Sequence, residues 1–364
     1  MLENAKITPK QLILLIVISR LVITITFFPA VDSPPKNQDV WISVLLSIPM
    51  HLFLSVPIYL LWKRFPNQSF IEYSQMILGK AGKLVGLLYV LYFFHGLSVF
   101  LFQWSVFLTT AVMPETPVLF LLIFLLSFCA YTVLKGIEVI SRLAELIAPL
   151  VFGGIILIFF LLSKDMDLNV FTPFMEQSFS SILLGAFVIA ARTKAILLFA
   201  MLFPYLNSKN VKSVLISTYS ILAFFWLICT ITVLATLGLD LPRILQFSYY
   251  TAIRLVNVGD FIERIESIHL AVWILSGFLR ITMYYYVIVI GLSQVVSLKS
   301  YKPLVLPSLI IILPLSLALQ SNIADLNKFL SYKVEPWFNL FFILFIPSIL
   351  LIIAVLRNQG DKKI

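Results

Sequence analysis

What constrains this chain most is a succession of ten apolar runs, each close to the length that crosses a membrane as a helix. They fall at about 9 to 30, 40 to 62, 84 to 111, 117 to 134, 143 to 163, 181 to 203, 212 to 236, 267 to 293, 304 to 319 and 336 to 356. A helix needs roughly 20 apolar residues to cross ~30 Å of hydrocarbon. Inside the bilayer every backbone polar group must be bonded within the protein, which for apolar runs of this kind means α-helices. Composition agrees, with 61% of residues hydrophobic and 12% charged, against ~45–50% and ~25% in soluble domains. The predicted fold class is therefore all-α integral membrane, with about ten transmembrane helices. Lys6 and Lys10 before the first run imitate a secretory signal. The run from Leu12 to Ala30 is too long for one and is followed by no A-x-A cleavage pattern, so it is read as the first span.

Ten spans put both termini on one side. Fifteen of the 26 Lys and Arg then fall on the terminal side and seven opposite, where Asp39, Asp165, Asp167, Asp260 and Glu263 also lie. The positive-inside rule makes the terminal side cytoplasmic. No Gly/Ser linker divides the chain, so residues 1–364 are read as a single membrane domain. The spans group as five, a hydrophilic connection at 164 to 180, and five more. Because five is odd, the second group (181–356) would run inverted relative to the first (1–163), the LeuT/APC-like arrangement of two inverted five-helix repeats. The loop 237 to 266 carries Asp260, Glu263, Arg264 and Glu266 in an amphipathic spacing that suits a surface helix.

Four basic residues remain, and each falls near the middle of a span: Arg20, Arg192, Lys194 and Arg280. A central Arg or Lys costs about 2.5 to 3.5 kcal/mol, so four facing lipid would cost roughly 10 to 14 kcal/mol, with no acid near the middle of a span to pair them. They are expected to line a polar cavity. Arg20 belongs to span 1, and Arg192 and Lys194 to span 6, which correspond if the halves are repeats. Span 3 adds a face of Tyr89, Tyr92, Gly96, Val99 and Gln103, with His95 beside it, and span 8 offers Thr282 and Tyr286 at i and i+4. Taken singly each residue also has a structural reading: tyrosines pack, His95 is satisfied in the interior, and Arg20 reaches Asp32 or Glu145. The four bases as a set point to neutralising a ligand carboxylate or shaping the cavity potential.

Other chemistries lack their residues. There is no HExxH, GxSxG, Walker A or dinucleotide fingerprint, and acids are nearly absent from the spans, so no enzyme and no cofactor is expected. Cys129 and Cys229 lie in apolar runs without Cys/His neighbours and read as small buried hydrophobes rather than metal ligands. The net charge of +9 is dispersed between spans, and no basic stripe suited to nucleic acid is present.

The connections carry a more specific signal. Phe70-Ile71-Glu72-Tyr73 with Gly79-Lys80, Met113-Pro114-Glu115-Thr116-Pro117, Gly136-Ile137-Glu138-Val139-Ile140-Ser141-Arg142 through Glu145, Gly259-Asp260-Phe261-Ile262-Glu263-Arg264-Ile265-Glu266, and Tyr301-Lys302-Pro303-Leu304-Val305-Leu306-Pro307 run along the whole chain. Physically most are structural: Pro114 and Pro117 stop one helix and start the next, and Glu138 and Arg142 form an i, i+4 pair. Together they resemble the B subunit of spore germinant receptors, the endospore germination permease family within the amino acid-polyamine-organocation superfamily. The resemblance implies ten helices in two inverted repeats, with spans 1 and 6 interrupted where ligand binds. It also implies a nutrient receptor complex with a larger A subunit and a lipoprotein C subunit in the spore inner membrane. Arg280 matches a basic residue common in the family. Two stretches depart from its pattern: Gly185 through Ala195 has no Gly or Pro at its centre, and Ser19 through Thr24 has no glycine, which disfavours unwinding.

The expectation is a membrane subunit that binds a nutrient, an amino acid, between spans 1, 3, 6 and 8. Arg192, Lys194 or Arg20 would meet a carboxylate, Thr282 and Tyr286 would hydrogen-bond the ligand, and Tyr92 and Gly96 would shape its side-chain pocket. Two alternatives stand beside it: a proton-coupled amino acid permease in which Lys194 or His95 titrates, and a scaffold subunit that binds no ligand.

Overall fold

A computed structural model describes residue 3 and residues 5–27, 33–208, 210–254, 266–318 and 323–360. Among these residues it is helical throughout, apart from turns and one isolated bridge between Ile7 and Leu206. Helices α1 (Pro9–Phe27) and α2 (Val40–Arg64) are followed by the short α3 (Phe70–Leu78) and the long α4 (Lys80–Phe107), which ends in a π-helical turn at Leu108–Val112. Then come α5 (Val118–Lys135) and α6 (Ile137–Leu162). The second half holds α7 (Phe179–Ala191) and α8 (Ala195–Leu202), then α9 (Val211–Leu237), the short α10 (Leu241–Ile244) and α11 (Ser248–Arg254), and the long α12 (Glu266–Val296). It closes with α13 (Val305–Ala318), α14 (Ile323–Phe329), and α15 (Glu335–Leu340) running through a π-helical turn into α16 (Ile346–Leu356).

Nine helical stretches among the described residues are long and apolar enough to cross a membrane, and the protein is a multi-pass membrane protein. The tenth expected span, 304 to 319, is the shorter apolar helix Lys302–Ala318. Pro303 confines its start to a 3-10 turn, and Pro314 lies inside it.

Local chemistry sets the corners. Ser69 caps α3 through a reciprocal box in which its hydroxyl accepts from the Glu72 amide while Glu72 accepts from the Ser69 amide. Gly79, at φ +60, then turns the chain directly into α4. The turn expected around Pro114 and Pro117 is present, with α5 starting one residue after Pro117. The Gly136–Glu145 motif forms the first turns of α6, and Arg142 pairs with Glu138 at 2.5 Å.

Helix α12 is the packing centre, lying against α1, α4, α5 and α6, while α2 packs on α7 and α9. Trp104 of α4 stacks on Trp273 of α12, with ring centroids 5.5 Å apart. Large apolar side chains such as Phe120, Phe124, Phe128, Leu146, Phe160 and Ile310 stay exposed on the outer faces, as a lipid-facing girdle requires. Part of the loop expected to lie on the surface is packed instead: α11 buries Tyr249, Ala252 and Ile253 against α1, α9 and α12. Asp260, Glu263 and Arg264 lie outside the described residues, as do Asp32 and Lys209. Cys129 and Cys229 are buried free thiols.

Candidate functional site

The sixth span is broken. Helix α7 stops at Ala191 and α8 begins at Ala195, so Arg192, Thr193 and Lys194 form a non-helical joint between two half-helices. No glycine is required, because Arg192 (φ −71, ψ −14) and Lys194 (φ −70, ψ 1) keep negative φ with ψ near zero, open to any L-residue. The Thr193 amide shifts its bond to the Ala190 carbonyl, and its hydroxyl donates to the Ile189 carbonyl that an unbroken helix would have used. The absence of Gly and Pro therefore does not prevent interruption here. Span 1 corrects the expectation the other way: α1 is continuous from Pro9 to Phe27, built from helix-compatible aliphatic residues with no glycine.

The joint opens onto a cavity of about 70 Å³, roughly five times the space one water needs. Arg20 and Ile23 of α1, Gly96, Val99, Phe100 and Gln103 of α4, Arg192, Lys194 and Arg280 wall it, together with Leu330 and Glu335. All four basic residues found mid-span in the sequence thus share one cavity, each less than a tenth exposed. Each guanidinium or ammonium is handled differently. Arg280 donates to the Ser19 carbonyl of α1 at 2.7 Å and lies over the rings of Phe100 and Tyr284. Arg20 lies over Trp226. Lys194 lies over Tyr92, whose hydroxyl is held by the side-chain oxygen of Asn339 at 2.8 Å. Arg192 donates to the Leu330 carbonyl at 2.8 Å and to Ser33 at 3.1 Å, fixing those two outer segments to the joint.

Sequence reasoning missed Glu335. Its carboxylate lies 3.6 Å from Arg192 and 4.0 Å from Lys194, so an acid does reach two of the four bases. The signal was its position one residue before span 10, where the start of α15 carries it inward. Gly96 matters for room: a β-carbon there would sit 3.4 Å from the Lys194 ammonium. His95 packs edge-on against Phe329 and Phe338 instead of lining the cavity. Thr282 and Tyr286 lie elsewhere. Thr282 neighbours Cys129, and the Tyr286 hydroxyl donates to Glu3 at 2.6 Å near the terminal side, beside Tyr205 and Tyr301. Glu145, once a possible partner of Arg20, binds Lys10 and Gln11.

A membrane bundle with a broken sixth span and a charged cavity at the break has the architecture of a secondary transporter. The overall fold matches that of Mhp1, a nucleobase-cation-symport-1 family transporter solved in a closed conformation with bromovinylhydantoin bound, at a TM-score of 0.65 and 13% identity over 90% of this chain and 75% of that one. The Spore_permease model of spore germination proteins matches residues 6–325, and the chain belongs to that family. It is 29% identical to spore germination protein KB of Bacillus subtilis (strain 168), covering 100% of this chain and 98% of that protein. It is also 26% identical to YndE of the same organism, covering 99% of each chain, and 26% identical to spore germination protein XB of Bacillus anthracis over 69% of this chain and 70% of that one.

Proposed function

We propose that this protein is the membrane subunit of a spore germinant receptor, and that it binds a nutrient, an amino acid in the first instance, through the nutrient's carboxylate in the cavity at the α7–α8 joint. The observation that carries this reading is the convergence of Arg20, Arg192, Lys194 and Arg280 on one cavity. Each of the four cations is buried, and a desolvated cation is stabilised by an anion that hydrogen-bonds to it. Family membership supports a role in germination, and the lysine and arginine distribution supports placing both termini in the cytoplasm. In this reading the chain resides in the spore inner membrane and conveys the bound state to an A subunit and a lipoprotein C subunit. The first five spans (1–163) and the second five (181–356) act as inverted repeats around the site.

Deletion of the gene tests the role directly. Dipicolinate release across a panel of amino acids, sugars and nucleosides should lose one nutrient response, restored by the wild-type gene and not by a copy carrying Arg192→Leu and Lys194→Leu that still reaches the membrane. An unchanged profile after removal of paralogous receptors overturns it. The transporter-like fold favours one second reading, proton-coupled amino acid uptake, which would be seen as pH-gradient-dependent accumulation of labelled substrate in proteoliposomes.

A further inference from the structure

The first residues of a chain are poorly ordered unless something ties them down. Here three ties hold them. The Ile7 amide donates to the Tyr205 carbonyl at 2.8 Å and the Asn207 amide to the Ile7 carbonyl at 2.8 Å, a parallel bridge that leaves Ile7 fully buried. The Lys6 ammonium donates to the Pro204 carbonyl at 2.8 Å. Glu3 accepts from the Tyr286 hydroxyl of α12 at 2.6 Å. Thr8 and Gln11 then bond reciprocally, backbone to side chain, at 2.9 and 3.2 Å, capping the start of α1 where the segment joins it.

What the segment grips is the far end of the broken sixth span. Helix α8 and its 3-10 extension (Phe203–Tyr205) run from the joint to the terminal side. Lys194, in the joint, lines the cavity, while Pro204, Tyr205 and Asn207 carry the bonds from the segment. Between those ends α8 reads Ala-Ile-Leu-Leu-Phe-Ala-Met-Leu, every residue buried and none with a side-chain hydrogen-bond donor. Its contacts with α1, α2, α3 and α12 are therefore apolar and non-directional, and they tolerate displacements that hydrogen bonds do not. Among the described residues, the hydrogen bonds that join the backbone of 203–207 to another part of the chain are to Lys6 and Ile7.

We infer that residues 3–7 are a latch on the lower half of the sixth span. While bound they hold α8 against the bundle. When they let go, α8 swings about the Arg192–Lys194 joint and opens the cavity toward the terminal side. Glu3 anchors the latch to α12, the packing centre, whereas Lys6 and Ile7 grip the part that moves. The device does not depend on what the cavity binds, so it stands or falls apart from the nutrient reading.

The test uses the full-length chain in lipid nanodiscs with Cys129→Ala and Cys229→Ala, and Ala200→Cys as a reporter in the last turn of α8, where the native side chain is buried. A charged methanethiosulfonate reagent should modify this thiol slowly. Adding Glu3→Ala or Lys6→Met should speed modification by roughly tenfold or more, as expected for losing one hydrogen bond to a charged group. Tyr286→Phe removes the same bond as Glu3→Ala, so the two together should give no more than either alone. Val188→Cys, in buried α7, is the control and should stay unreactive in every variant. Unchanged reactivity at position 200 overturns the latch, and so does a parallel rise at position 188, which marks general loosening. Hydrogen exchange on the unaltered chain decides the matter even if the variants fold poorly. The Ile7 and Asn207 amides should exchange together, and roughly tenfold or more faster than those of 284–288 in α12. Protection of both amides equal to that of the α12 core would mean that the segment does not release, and overturns the latch.

Discussion

The carboxylate of Glu335, at the first turn of α15, lies 3.6 Å from the Nε of Arg192 in the joint between α7 and α8, and so ties the last span to the broken sixth. Both side chains are nearly buried, at 13% and 7% exposure, so solvent screens the pair little. Replacing Glu335 by Gln should remove the carboxylate that Arg192 and Lys194 share and destabilise the protein by about 3 kcal/mol, the low end for breaking a buried pair. A lower thermal midpoint in detergent, partly restored by Glu335→Asp, is the expected result. An unchanged midpoint would mean that the pair contributes no net stability.

Two glycines should behave differently. A β-carbon on Gly82 would stand 2.2 Å from the Ser74 carbonyl oxygen, so Gly82→Ala forces α3 and α4 apart and should cost a few kcal/mol or abolish accumulation in the membrane. At Gly96 the new methyl group meets the Lys194 ammonium and Tyr284 at 3.4 and 3.5 Å, ordinary contact distances. Gly96→Ala should therefore fold with a stability within ~1 kcal/mol of wild type while reducing cavity room and ligand affinity. Thermal midpoints of both variants, with ligand titration of the second, separate the two effects.

Tyr286 serves the terminal side of the molecule. Its hydroxyl binds Glu3, whose carboxylate also abuts Gly136 at the start of α6. Tyr286→Phe should cost roughly 1.5–3 kcal/mol, as for other hydrogen bonds to charged groups, and leave ligand affinity unchanged. A tenfold loss of affinity in folded protein would place Tyr286 in the binding machinery after all.

Orientation can be read with thiols, since Cys129 and Cys229 are buried and should not react. Glu115 and Ser300 are exposed at opposite ends of the bundle. In intact cells a membrane-impermeant maleimide should label Glu115→Cys and not Ser300→Cys, with both labelled after permeabilisation. The reverse pattern would invert the topology drawn from the positive charges.

The sequence by itself determined the membrane class, the helix count within one short span, and the presence of four intramembrane bases, because hydrocarbon thickness and the cost of buried charge act on each residue wherever it later packs. It also carried the local devices: the Pro114–Pro117 turn and the Glu138–Arg142 pair follow from spacing of a few residues. What tertiary structure decided was company. Tyr286 and Thr282 share span 8 with Arg280, yet only Arg280 faces the cavity. Glu335, outside every apolar run, enters it because α15 packs beside the joint. The break at Arg192–Lys194 was likewise hidden, since its backbone angles need no special residue and its freed carbonyl is met by the side chain of Thr193. That Glu335 meets Arg192 and Lys194, and that Arg280 meets the Ser19 carbonyl, depends on contacts between residues more than a hundred positions apart, and no local pattern encodes those distances.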